Sequence, residues 1–348
     1  MSRLTRSAAL TMSSPRPYLS RQAGGFLLAL LLLLVMIILS LSLGARSIPW
    51  HSVLPALRGQ CSSADCVLIA DARLPRTLLG LLAGMALGLS GALMQILTRN
   101  PLADPGLLGV NAGAAFAVVI GIAFFGASDI DHYLGFAFSG ALFATLLVAM
   151  IGTLGRGRLN PIRLTLAGVA LGAVLEGMAS GISLLNPQVF DQLRFWQAGS
   201  LDIRSMAVIR AVTPPIIFAC VLSLLLSRSL HNLTMGSELA TALGTRMVLT
   251  QLMGLLAITL LCGSATAAAG PIAFVGLMMP HIARRLSRSD PRWLLPWTLV
   301  LTPSLLLAAD LLGRMLVVGE LRVSVVTAFI GAPVLIFLVR RTRGLSRG

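Results

Sequence analysis

The stretch FLLALLLLLVMIILSLSL, residues 26–43, contains no charge across eighteen residues. A bilayer core takes about 20 apolar residues per helix, so this run predicts a membrane span. Arg3, Arg6, Arg16 and Arg21 precede it, and Gly44 and Ala45 follow. That layout resembles a secretory leader, whose apolar core is usually about 7–15 residues. The longer run predicts an uncleaved helix, with residues 1–22 as a basic tail before a single transmembrane domain over 23–348.

The pattern recurs along the chain. Candidate spans fall near 26–44, 74–97, 107–125, 133–154, 164–185, 207–226, 247–268, 271–285, 294–312 and 324–340. Over half of the 348 residues are apolar and 11% are charged, so no segment reads as a soluble domain. Every basic side chain is arginine, 27 in all, and the net charge is +15. With ten crossings and both termini in the cytoplasm, about two thirds of the arginines lie in inner segments, as the positive-inside rule requires. The basic charge therefore reports topology, and nucleic acid is not an expected partner. Glu176 is the one acid expected within a span. Insertion costs a central charge about 3 kcal/mol, so span five should turn Glu176 away from lipid, toward a pathway or a buried hydrogen bond.

An internal echo points to inverted repeats. Gly80-Leu81-Leu82-Ala83 is followed by Pro101-Leu102-Ala103-x-x-Gly106-Leu107, and Gly254-Leu255-Leu256-Ala257 by Pro271-Ile272-Ala273-x-x-Gly276-Leu277. The copies start on opposite sides of the membrane, so spans 2–5 and 7–10 are expected to be inverted repeats, as in many transporters. Asn100, Pro101 and Pro105 in one copy, and Gly270, Pro271 and Pro280 in the other, predict broken helices. Such breaks must be buried in protein or line water. Gly80, Gly84, Gly88 and Gly91 lay a stripe on span two where another helix of the same subunit can approach closely.

Enzyme chemistry is missing. A nucleotide-binding P-loop needs a lysine, and the chain has none. Its four histidines lack metal-ligand spacing, and no resident cofactor or metal is expected. Cys220 and Cys262 fall in spans and read as packing residues. Cys61 and Cys66 fall in the first outer loop, where an oxidising periplasm permits either a local disulfide or two free thiols.

Three outer arginines remain: Arg73 and Arg76 in Arg-Leu-Pro-Arg, and Arg314. They could dock carboxylates of a soluble partner or serve as interfacial anchors. The inner loop over about 229–246 carries Ser237, Glu238, Leu239, Ala240, Leu243 and Gly244. Ser237 should N-cap a short helix that Gly244 stops, giving either a dock for another protein or a surface-lying connector.

With those residues in hand, the chain resembles the FecCD family, the permeases of ABC importers for iron siderophores, haem and vitamin B12. The resemblance is carried by ARLPRTLLGLLAG at 72–84, TRNPLADPGLLGVNAG at 98–113, LTLAGVALGA at 164–173, FWQAGSLD at 195–202, SELATALGTR at 237–246, GPIAFVGLMMPHIAR at 270–284 and GELRVSVVTAFIGAPVLIFLVRR at 319–341. It implies an all-α, ten-helix type II ABC importer permease in the bacterial inner membrane. It also implies a permease dimer with the pathway between subunits, two ATPase subunits that use ATP inside, and a periplasmic binding protein outside. Arg73, Arg76 and Arg314 match positions that meet acidic residues of the binding protein. Residues 237–244 match the coupling helices, and Asn100 and Leu102 match the inner gate. DQLRFWQAGSLDIR at 191–204, the Cys61/Cys66 loop and LVRRTRG near the C-terminus are similar to ferric enterobactin permeases. They imply a ferric catecholate cargo and a second, related permease subunit. Another iron chelate, haem or vitamin B12 is the alternative cargo. An ion-driven secondary transporter and a non-transporting receptor or scaffold are the rival classes; the first usually needs several intramembrane ionisable groups, and the second does not require broken helices.

Overall fold

The computed structural model describes residues 16–44, 48–58, 64–127, 130–153, 160–203, 205–287, 290–317 and 319–345, and every regular element among them is helical. In order these are α1 (Arg16–Ser42), α2 (Trp50–Leu57), α3 (Ala64–Leu68), α4 (Leu74–Thr98), α5 (Val110–Phe125), α6 (Ile130–Thr153), α7 (Pro161–Leu185) and α8 (Pro187–Gln197). They continue with α9 (Met206–Leu225), α10 (Ser227–Thr234), α11 (Ser237–Ala242), α12 (Met247–Ala269), α13 (Val275–Leu286), α14 (Pro291–Leu316) and α15 (Val323–Leu345). A π-helical turn, Ile69–Arg73, joins α3 to α4, and a 3-10 turn, Pro105–Leu108, precedes α5.

All ten predicted spans are helical, but they are not ten equal crossings. Among the described residues seven helices are long and apolar enough to cross a bilayer, and α5 and Val323–Phe337 of α15 are shorter apolar helices. Span eight is corrected most. Its helix, α13, has twelve residues and rises only about 18 Å at 1.5 Å per residue. Both short helices, α5 and α13, follow the Pro/Gly breaks that the sequence marks. α1 begins at Arg16, ahead of the apolar run, and Gln22 is buried with its amide donating to the Leu286 carbonyl at 3.4 Å.

Three helices start on the same chemistry. Asn160, Asn186 and Asp290 each accept from backbone N–H groups of the next turn, and Pro161, Pro187 and Pro291 fill the first helical position. The side-chain oxygen satisfies donors that a helix start leaves orphaned, and proline has no N–H to lose there. α7, α8 and α14 therefore begin where their sequence dictates.

Most residues of α4 and α12 are buried, and α4 packs against α12, α14 and α13 at the centre of the bundle. The glycine stripe makes this possible. A Cβ on Gly84 would collide with the Pro303 backbone of α14, and one on Gly91 would overlap the Gly276 carbonyl of α13. The stripe is thus an intrasubunit packing surface, as expected. Without a hydrophobic drive between helices in lipid, such backbone approach is a main source of cohesion.

Candidate functional site

The three singled-out arginines converge at one end of the bundle, but as a buried network rather than a free cationic face. Arg73, Arg76 and Arg314 are all buried. Asp310, on α14 and 0% exposed, sits at the centre. Its Oδ1 accepts from Arg76 Nη2 at 2.9 Å and from Arg76 Nε at 3.1 Å, and its Oδ2 pairs with Arg314 Nη2 at 2.9 Å. Arg76 Nη1 turns outward to Glu320 Oε2 at 2.7 Å, with Asp202 Oδ1 at 3.6 Å.

Helix α1 closes the back of the network. Arg314 donates to the Ser40 carbonyl at 3.1 Å and to Ser40 Oγ at 2.9 Å, and that hydroxyl shares a 2.8 Å bond with Thr77. Arg73 Nη1 donates to the Leu41 and Ser42 carbonyls at 2.8 and 2.6 Å. These guanidiniums cap the last carbonyls of α1, which a helix end leaves without partners. The placement of Asp310 corrects the sequence reading that Glu176 alone lies within a span.

A cavity of about 880 Å³ opens beside this network, lined by Arg73, Arg76, Arg314 and Arg322 with Tyr133 and Trp196. Three of the sequence segments that carry the resemblance meet at its rim. Arg322 donates to the Phe195 carbonyl and lies 5.2 Å from the centre of that ring, and Ser324 donates to the Ala198 carbonyl. Ser200 N–H donates to the Ala269 carbonyl at 2.8 Å. Gly199, at φ +57°, passes so close to the Pro271 carbonyl that a side chain would not fit. The segments 195–202, 270–271 and 319–324 are therefore one structural unit.

At the other end of α4 the short helix expected in the 229–246 loop is present as α11. Ser237 is not its N-cap: Gly236, at φ +113°, holds that place without a side-chain bond, and Ser237 is the first helical residue. The sequence rule favours a serine cap, but the chain enters at a φ that glycine tolerates and serine does not. The predicted stop is correct. Gly244 at φ +78° donates to the Thr241 carbonyl, and Thr245 N–H to the Ala240 carbonyl, each at 2.9 Å, which is a Schellman ending. Ala240 is buried and anchors the helix; Ser237 is half-buried, and Glu238 and Gly244 are exposed. Leu239 and Leu243, one turn apart, are 48% and 54% exposed.

The gate candidates lie in the break after α4. Arg99 adopts φ +52°, and Asn100 Oδ1 then accepts from Leu102 N–H at 2.9 Å, leaving Asn100 and Leu102 exposed. Next, Asp104 Oδ1 accepts from Gly106 N–H at 2.7 Å and starts the 3-10 turn. Of the two places expected for Glu176, the buried hydrogen bond is not the one taken: it is exposed on α7, among exposed Val169, Val174 and Met178. Sequence reasoning missed Gln95, buried on α4, which accepts from Arg284 at 2.8 Å and donates to the Leu277 carbonyl at 3.1 Å, tying α13 to α4. A polar residue within an apolar span was the available signal. Cys66 is buried and disulfide-bonded, Cys220 and Cys262 are buried free thiols, and Cys61 lies outside the described residues.

Comparison with known proteins follows this geometry. Residues 32–341 match the FecCD transport family. The chain is 67% identical over 307 residues to the ferric enterobactin transport system permease protein FepD of Escherichia coli (strain K12), spanning 88% of this chain and 92% of that one. It is 36% identical to the hemin transport system permease protein HmuU of Yersinia pestis, over 93% of this chain and 97% of that one. Among solved structures, a metal-chelate type ABC transporter in an inward-facing conformation superposes with a TM-score of 0.78 at 28% identity, over 92% of this chain and 99% of that chain.

Proposed function

This chain belongs to the FecCD transport family, and from that premise we propose that it moves a ferric catecholate siderophore, ferric enterobactin, as one permease subunit of an ABC importer. The observation that carries this cargo is the 67% identity to a ferric enterobactin permease across 88% of the chain. The chelator already satisfies the iron, so the permease needs no metal cluster or cofactor of its own.

The geometry supports a division of labour. The arginine end faces the periplasm and receives the binding protein through the region of Arg73, Arg76 and Arg314. The α11 end faces the cytoplasm with both chain termini, and Leu239 and Leu243 seat on an ATPase subunit that binds and hydrolyses ATP. Two such ATPases serve the complex. The exposed apolar face of α7, with Glu176 in it, meets a second, related permease subunit and forms part of the pathway wall, because a carboxylate facing lipid would be costly. Asn100 and Leu102 act at the inner gate. Transport proceeds by alternating access: nucleotide binding and hydrolysis move α11, and the broken segments before α5 and α13 give where continuous helices would not.

Expression of this chain in a bacterium lacking its own ferric enterobactin permease tests the cargo. Restored growth with ferric enterobactin as the iron source is expected. Growth restored only by a different chelate would assign another cargo.

A further inference from the structure

The two edges of the Arg76 guanidinium are held in different ways. Its inner edge, Nε and Nη2, grips Asp310, which is fully buried. Its outer nitrogen, Nη1, meets Glu320 at 2.7 Å and Asp202 at 3.6 Å, whose side chains are 36% and 46% exposed. Glu320 reaches that position from a turn that costs it conformational ease. It follows Gly319 at φ +108° and itself adopts φ +58°, the left-handed region that non-glycine residues avoid. The turn is tied by Glu320 N–H to the Val317 carbonyl at 3.2 Å and by Leu321 N–H to the Gly313 carbonyl at 2.9 Å. An exposed carboxylate on a strained turn is therefore placed on the one edge of a buried guanidinium that faces the cavity mouth.

We propose that Glu320 is an internal stand-in for a partner's carboxylate: it occupies the outer edge of Arg76 in the free permease and is displaced when an acidic protein surface docks at that end. The inference rests on the docking assignment made above. The exchange needs no new buried charge, because one carboxylate replaces another on the same nitrogen while Asp310 keeps the inner edge neutralised. A self-occupied site lowers the apparent affinity for its partner by the fraction of molecules in which it is open. The latch thus weakens the encounter with any acidic surface that cannot also engage the rest of the rim, including Arg322, which is held on Phe195 two residues after Glu320. It also gives docking a signal within the chain, since freeing Glu320 relaxes the turn that connects α14 to α15.

The test uses the assembled importer in nanodiscs and its fluorescently labelled binding protein. Glu320→Gln removes the competing charge, and Glu320→Gly removes it while suiting the left-handed backbone. Both are expected to tighten binding roughly three- to tenfold, the factor set by the open fraction, with unchanged thermal unfolding of the Gly variant serving as the fold check. Unchanged or weaker binding by both variants overturns the latch. Charge reversal at Arg73 and Arg76 separates the two ideas. If it leaves docking unchanged, the docking assignment fails and the latch with it; if it weakens docking while neither Glu320 variant tightens it, the latch alone fails.

Discussion

Asp310 Oδ1 accepts from Arg76 Nη2 at 2.9 Å across 234 residues of chain, and its other oxygen holds Arg314 one helical turn away. One buried carboxylate thus bridges two buried guanidiniums, and it fixes α4 against α14. Removing one member of a buried ionic cluster strands the others, at a cost of about 3–5 kcal/mol. Asp310→Asn is expected to lower stability by that order, measured as unfolding of the purified chain in detergent, whereas Glu320→Gln, at the exposed edge, should cost far less.

The α4–α13 crossing depends on a missing side chain. Gly91→Ala drives a Cβ into the Gly276 carbonyl, and backbone cannot yield as a side-chain tip can. A loss of about 1–3 kcal/mol is expected from overpacking. Gly24→Ala is the control, because nothing lies within 4 Å of its Cβ position; it should leave stability unchanged or slightly improved by helix propensity.

Much of this arrangement was legible in the sequence, and the exceptions have physical causes. Each of the ten hydropathy runs falls on a helix, and the four-residue glycine spacing located the α4 surface that packs on α14 and α13. Gly244 ended α11 because only a left-handed residue completes that turn. Span eight was overcounted because Gly270-Pro271 ends one helix and φ +67° at Phe274 delays the next, features that hydropathy does not register. Asp310 went unrecognised because its partners lie far away in sequence, and an acid near a span end looks like an interfacial residue. Glu176 was expected inside the bundle on the cost of exposing it, but a single chain can leave such a face for a second subunit. The arginines at 73, 76 and 314, far apart in sequence, come together in the structure; their internal carboxylates could be found only in three dimensions.

Leu239 on α11 and Leu243 just after it form an exposed apolar pair, while buried Ala240 holds the helix to the bundle. Replacing both leucines by Asp should leave expression and unfolding near those of the unaltered chain, because neither side chain packs in the core. ATP hydrolysis by the assembled complex should then continue without uptake. Normal transport by this variant would remove α11 from the coupling path.

Asp104 lies between α4 and α5, outside the spanning helices. Burial pushes its carboxyl above the ordinary 3.8, and the Gly106 N–H pulls it partly back. The folded chain therefore binds this proton more tightly than the unfolded chain does. Its contribution to stability is present below the ordinary value and is lost as pH rises through the folded value. Asp104→Asn should flatten that part of the stability profile, read as unfolding midpoints as pH is raised from the ordinary carboxylate value; an unchanged slope would show that the carboxyl titrates normally.

The most direct measurement is uptake of radiolabelled ferric enterobactin into proteoliposomes that hold this chain with the second permease and the ATPase subunits proposed for it, with binding protein outside. Accumulation is expected only with ATP inside the vesicles, and it should cease when the ATPase subunit carries an inactive nucleotide site. Accumulation that persists without ATP or without the ATPase would contradict an ATP-driven permease.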